Sequence, residues 1–491
     1  MLRNIVKDSL VYGASDFVLK LISFSLFPIY AHIFRVDEYG VLTLVSTIAG
    51  FILLLLNLGM NNAVQRFYFE KDTGELHKKK IISTGLWVLI SWSVSITLIV
   101  LGVSWFMSDV IATRYGVSWL LLCIALMANV PAQILQFTQD TLRLHFSPWR
   151  YALVAFVKNV SGAMIGLLCI LVFGMGIMGF FAGNFIAFFV ALPLAFVFIR
   201  KDLVRGLDKE LARKLINFGY PFIFVSLAYW IFGSIDRLML AEMSDKTNVG
   251  WLGIAFMFAT VLSFINSAFG QAWSPHAFKI AGEDQENHRK VFSKILSKWF
   301  FFIAFIGAGV SLFSEELLML TTPKEYWPAS LCVIFLSMGL VLQGTTQITA
   351  LGISLKHKTG LLSRAAWITA VVNVLINLIL IPVWGAVGSA ISTFLSYMTL
   401  SALYMYWSQK LYPLPLEYKK LLLILMSCFV VIIISILCYV YIDNILLKIA
   451  LKALVIAAFA FTGISANIIS WHEITTLIRN GIDRLPFKNK A

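Results

Sequence analysis

Charge is scarce in this 491-residue chain: Asp, Glu, Lys and Arg together make up 13% of it, about half the share in a soluble globular domain, while 59% is hydrophobic. So little charge excludes an ordinary water-covered domain. Cysteine is nearly absent. The five present (Cys123, Cys169, Cys332, Cys428, Cys438) form no close pair and have no His cluster at metal-ligand spacing, so neither a disulfide framework, a metal site nor a cofactor is expected. No Walker lysine motif occurs, which argues against ATP hydrolysis by this chain. Large polar connectors are missing too, the longest running about fifteen to twenty-five residues. A catalytic domain outside the bilayer would need more, so an enzyme such as a polymerase, ligase or membrane glycosyltransferase is disfavoured.

What the chain has in abundance is apolar stretches. They fall at 9–34, 41–65, 81–107, 118–140, 150–173, 177–199, 216–241, 249–272, 298–320, 328–353, 360–382, 386–408, 420–441 and 450–471. About twenty apolar residues suffice for a helix to cross a ~30 Å hydrocarbon core. Basic residues crowd every second connector, and thirty of the 39 Lys and Arg fall on one side if the N-terminus is inside. Since cytoplasmic loops retain Lys and Arg, the pattern predicts fourteen helices with both termini cytoplasmic, in the inner (plasma) membrane. The first stretch runs too long for a cleavable signal and contains Asp16 and Lys20, so it reads as a retained helix. The net charge of +14 then needs no nucleic acid, because clusters such as Lys78-Lys79-Lys80 sit at helix ends beside anionic lipid headgroups.

The chain also repeats itself. Tyr12-Gly13 matches Phe218-Gly219, Tyr39-Gly40 matches Val249-Gly250, and Leu58-Gly59 matches Phe269-Gly270, at offsets of 206, 210 and 211. Gly176 and Gly179 match Gly385 and Gly388 at 209. A six-helix unit crosses an even number of times, so its two copies share one orientation, as in transporters built from parallel repeats. The expected architecture is all-α: a six-helix bundle over 1–199, a cytoplasmic linker over 200–215, a second bundle over 216–410, and two further helices with a basic tail over 411–491. Leu203, Leu207, Leu211 and Leu215 at i, i+4 spacing predict an amphipathic helix in the linker, lying at the interface.

Residues 352–397 (GISLKHKTGLLSRAAWITAVVNVLINLILIPVWGAVGSAISTFLSY), with Glu38-Tyr39-Gly40, NLGMNNAVQRF at 57–67, FGYPF at 218–222 and the Asp236-Arg237 pair, resemble the polysaccharide exporter branch of the multidrug/oligosaccharidyl-lipid/polysaccharide flippase superfamily. That branch includes bacterial O-antigen and capsule repeat-unit flippases. The resemblance covers most of residues 1–410. It implies translocation of a polyprenyl-diphosphate-linked oligosaccharide to the outer leaflet by alternating access, among membrane lipids and beside polysaccharide polymerase machinery. Such a substrate needs a polar, cationic cavity, because diphosphate and sugars do not cross hydrocarbon unaided.

Charges inside spans are the candidates for that cavity, since they are costly in lipid and face the bundle interior or water. Asp16 and Lys20, at i, i+4, make either a structural ion pair or a phosphate contact released by Asp16. Lys158 either meets phosphate or snorkels to the cytoplasmic edge. Asp236 and Arg237 are helix neighbours and should point in different directions, leaving Arg237 free to fork onto phosphate or to anchor the outer edge. Arg66 ends a polar segment in which Asn61 and Gln65 share a face, suited to sugar hydroxyls or to helix packing. Asp140 and Arg143 read as a local i, i+3 pair. Asp16, Asp140 and Asp236 are the carboxylates placed in spans, so coupling to protons or sodium would use one of them. Two other transporters share this frame: a cation-coupled small-molecule exporter of the same superfamily, and a lipid II flippase.

Overall fold

The computed structural model describes residue 22 and residues 24–70, 74–204, 206–283, 288–356, 358 and 360–468. Its apolar stretches are helical because, in hydrocarbon, a helix satisfies all its own backbone N–H and C=O groups. In order these are α1 (Phe24–Ile33), α2 (Val36–Asn57), α3 (Met60–Tyr68), α4 (Glu75–Phe106), α5 (Ser108–Tyr115), α6 (Trp119–Met127), α7 (Asn129–Leu144), α8 (Pro148–Leu171) and α9 (Gly176–Ile199). There follow α10 (Lys209–Gly219), α11 (Pro221–Met243), α12 (Lys246–Glu283), α13 (His288–Leu312), α14 (Ser314–Thr321), α15 (Ala329–Leu355), α16 (Gly360–Leu411), α17 (Tyr418–Tyr441) and α18 (Ile445–Ser465). No strand occurs among the described residues.

Twelve helical segments among the described residues are long and apolar enough to cross a membrane. Two features separate that figure from the fourteen expected. The first expected span lies mostly outside the described residues, which hold α1 of it. Spans eleven and twelve run together as the 52-residue α16, interrupted at Gly385 with φ 53° and ψ −128°. A residue with a side chain rarely adopts that φ. Asn248 reinforces the break, its Oδ1 accepting from the Ala386 N–H at 2.8 Å and capping the second half of the run. Gly176, the sequence partner of Gly385 in the repeat, also has φ +53° and opens α9. The two copies thus begin their last helix with the same backbone turn.

Packing divides the chain into two compact units. The first comprises Met1–Ile254, Thr321–Tyr326 and Ala370–Ser389. Its apolar core includes Val45, Leu56, Leu121 and Leu126. Gly40 of α2 and Gly250 of α12, paired by the repeat, meet so closely that a Cβ on either would strike the other helix's backbone. Small residues permit such approach, and in lipid that contact, rather than a hydrophobic difference, holds helices together. Between α2 and α3 the chain turns through two left-handed residues, Leu58 (φ 51°) and Gly59 (φ 63°), and Gly59 abuts Gly219 of α10. Tyr326 Oη donates to the Phe34 carbonyl at 2.7 Å, pinning the short 321–326 segment in this unit.

The linker differs from its expected form. Asp208 caps α10, accepting from the Leu211 N–H at 3.1 Å, so the helix starts after Leu203 and Leu207 rather than including them. Leu211 and Leu215 are buried beside Met60, Val64 and Leu86. The apolar face of α10 therefore packs on protein.

The second unit comprises Ala255–Leu320, Trp327–Thr369 and Ala390–Ala491. α15 is its central helix: 83% of its most apolar window is buried, against 17% for α18. Burial on all sides explains how α15 carries Ser, Thr, Gln and Gly at membrane depth. Lys448 and Lys452 lie in the first two turns of α18 and are buried. Lys448 bonds both Glu315 oxygens (2.8 and 3.0 Å) and Lys452 both Glu316 oxygens (2.7 and 2.8 Å). Two buried cations near the start of a span persist because each has a carboxylate across the helix pair.

Candidate functional site

The first unit holds a polar cavity of about 460 Å³ between α3 and α7. α3 is short and two-faced: Met60, Ala63 and Val64 are buried, while Asn61, Asn62 and Gln65 line the cavity. α7 supplies Asp140, Thr141 and Arg143. Gln136, Asp140 and Arg143 stand at i, i+4 and i+7, hence on one helix face.

Asp140 is the hub. Asn61 Nδ2 donates to its Oδ2 at 2.6 Å, Gln136 Nε2 donates to both oxygens at 3.2 and 3.3 Å, and Arg143 Nη1 donates at 3.2 Å. Arg143 also donates from Nη2 to Tyr151 Oη at 2.7 Å, and its guanidinium lies 4.5 Å from the Tyr151 ring centre. The Asp140–Arg143 pair is partly exposed, with side-chain accessibilities of 23% and 43%, so water screens it and it is worth roughly 0–1 kcal/mol. Its consequence is positional: the guanidinium is held at the cavity with donors to spare. Asn61 Oδ1 is buried with no hydrogen-bond partner among the described residues. The arrangement offers a cation, amide donors and an unfilled amide acceptor, the groups needed to hold an anion beside hydroxyls.

Of the residues singled out in the sequence, Asn61, Gln65 and Asp140 meet at this cavity. Asp140 does more than pair locally with Arg143, since it reaches Asn61 across 79 residues of chain. Arg66 does not join them; it is exposed at the end of α3. Lys158 donates to Asn184 Oδ1 at 3.2 Å and lies 5.0 Å from the Phe188 ring centre, so α9 holds it within the bundle. Among the described residues no carboxylate pairs with it. Asp16 and Lys20 lie outside the described residues.

Asp236 and Arg237 correct the neighbour rule. Asp236 is 1% exposed, and its Oδ1 accepts from the Arg237 backbone N–H at 2.9 Å and lies 3.4 Å from the guanidinium. The arginine folds back along α11 to donate to the Gly233 carbonyl at 2.9 Å. Long side chains close a gap that helix directions alone leave open, so the pair does compensate its own charge.

Sequence reasoning missed Gln136, Tyr151 and Asn184. Gln136 carried a signal, standing four residues before Asp140. Asn184 carried none, because its relation to Lys158 depends on how α8 and α9 pack.

Comparisons with known proteins agree with this architecture. The chain is 22% identical over 211 residues to the "Probable low-salt glycan biosynthesis flippase Agl15" of Haloferax volcanii, a match spanning 43% of this chain and 45% of that relative. The chain thus aligns with less than half of that protein. Its fold resembles the lipid II flippase MurJ in an inward closed conformation, with a TM-score of 0.73 at 18% identity over 94% of this chain and 100% of that one. It also resembles an inward-facing multidrug resistance MATE family transporter of the same superfamily, with a TM-score of 0.59 at 13% identity over 80% and 97% of the two chains. Residues 5–281, more than half of the sequence, match one family model, and the chain belongs to that polysaccharide biosynthesis protein family.

Proposed function

We propose that this protein is a flippase that moves a polyprenyl-diphosphate-linked oligosaccharide from the cytoplasmic to the outer leaflet by alternating access. The observation that carries the reading is the Asn61–Asp140–Arg143 network lining a cavity among apolar helices. Charges and amides gathered at a cavity among apolar helices mark a candidate substrate path. Arg143 and Lys158 are suited to the diphosphate; Asn61, Asn62 and Gln65 are suited to sugar hydroxyls. Lys20 retains its candidacy for phosphate. Arg237 serves better as an edge anchor, and Asp236 or Asp140 as a coupling carboxylate. Membrane lipids surround the protein in the inner membrane, with both termini cytoplasmic and the polymerase machinery receiving the product.

The test is the leaflet location of lipid-linked oligosaccharide in cells with and without this protein. Intermediates held on the cytoplasmic leaflet in its absence, and released on its return, are expected. Lys158→Ala should then leave membrane levels intact and lower export. Unchanged leaflet distribution in cells with no redundant flippase would overturn the reading and favour export of small cations.

A further inference from the structure

The second unit contains a cavity of about 430 Å³, and its polar lining is Ser263, Asn266, Ser267 and Gln271 from α12 with Gln343 and Gln347 from α15. No charged side chain is among the lining residues. The volume falls in the ordinary range of small-ligand sites, roughly 300–1,000 Å³. Contacts ascend together along both helices, Asn266 meeting Leu340 and Gly344, and Gly270 meeting Gln347, so α12 and α15 run parallel here.

The amides are seated by reciprocal glycines. A Cβ on Gly344 would stand 2.6 Å from Asn266 Oδ1, and one on Gly270 would strike Gln347 Oε1. Each helix thus clears space for the other's amide. Trp299 braces the pair, its Nε1 donating to the Gly344 carbonyl at 3.0 Å while its ring stacks on Phe269 at 3.6 Å. Asn266 is 1% exposed, and Nδ2 donates to the Leu340 carbonyl at 2.8 Å. Among the described residues its Oδ1 has no partner. Simple helix packing would avoid leaving a buried amide acceptor unfilled.

We infer that this cavity is a second ligand site, one that takes the uncharged hydroxyls of the saccharide. The inference rests on the flippase reading for the source of that saccharide. Amides and hydroxyls both donate and accept, as sugar hydroxyls do, whereas among the described lining residues a diphosphate finds no cation and an organic cation no carboxylate. The repeat supports it independently. Gly270 is the counterpart of Gly59, whose α3 amides line the first cavity, and Gln343 and Gln347 follow Gln136 at offsets of 207 and 211. Both cavities therefore occupy the same place in their copies, where the second and fourth helices approach their cytoplasmic ends by the orientation the basic connectors predict. One kept its charges and the other holds amides alone.

The full chain in nanodiscs is titrated with neutral methyl glycosides and, separately, with inorganic pyrophosphate, using saturation-transfer NMR for weak binding. At least one glycoside should bind at millimolar concentration, weakened fivefold or more by Gln347→Leu and by the exposed-rim variant Gln271→Ala, whose melting temperature should match the parent. Pyrophosphate binding should be unaffected by either change and weakened by Lys158→Gln. Glycoside binding that survives both amide substitutions, or that is absent while pyrophosphate binds, overturns this site and leaves the flippase reading standing. Glycoside binding at the site with no leaflet movement in cells overturns the flippase reading alone.

Discussion

The two cavities are built alike and charged differently. In the first unit Asn61 and Gln136 converge on a carboxylate that holds an arginine; in the second, Asn266 donates to Gln343, and these two with Gln347 line an uncharged cavity. The contrast teaches that a repeat conserves where a polar site stands, while side chains decide what it binds. A diphosphate and a chain of sugars present two chemistries, and two unequal sites can serve them without one site compromising between both.

The largest expected effect tests Lys158, the cation proposed for the diphosphate, which stands outside the lining of the first cavity. Lys158→Gln removes a cation that no carboxylate partners among the described residues, and charge-assisted hydrogen bonds are worth roughly 1.5–3 kcal/mol, so pyrophosphate affinity should fall by roughly tenfold to a hundredfold. Titration of the purified variant reads this directly, and Lys158→Arg should restore most of it. No change would move the anion site elsewhere.

Asn61→Leu comes next. It strips Asp140 of its 2.6 Å donor and should cost about 1–3 kcal/mol, read as a lower denaturation midpoint in detergent. Asn266→Leu should cost less, since it removes an unfilled acceptor along with one donor. Equal losses at the two positions would break the comparison.

Gly344→Ala places a methyl 2.6 Å from Asn266 Oδ1 and should cost about 1 kcal/mol or more through overpacking, with glycoside binding weakened and pyrophosphate binding intact. The smallest effect belongs to the Asp140–Arg143 pair. A double-mutant cycle on Asp140→Asn and Arg143→Gln should return a coupling of roughly 0–1 kcal/mol, shrinking as salt is raised from about 0.1 to 1 M because the Debye length falls from ~10 to ~3 Å. Glycoside binding in the second unit should ignore the same change of salt.

Much of the fold was legible before any coordinates. Apolar length located the helices, and the glycine offsets paired Gly176 with Gly385 before their common φ of +53° was seen. The site was legible in part: Asn61, Gln65 and Asp140 stood out as polar groups in apolar stretches. Asn266, Gln343 and Gln347 did not, because an uncharged amide in a span is chemically ordinary until its neighbours are known. The pairing of Lys448 with Glu315 and of Lys452 with Glu316 was hidden too, because the partners lie more than 130 residues apart in sequence.

The sequence by itself determined that the chain is helical and membrane-spanning, because hydrocarbon thickness and backbone hydrogen bonding act on composition within one stretch at a time, while its repeat and its family were carried by particular residues and motifs. Tertiary structure alone decided which polar groups are satisfied and which are left open. Lys158 found Asn184, and among the described residues Asn266 Oδ1 was left without a partner, each through the approach of helices whose meeting no local pattern encodes.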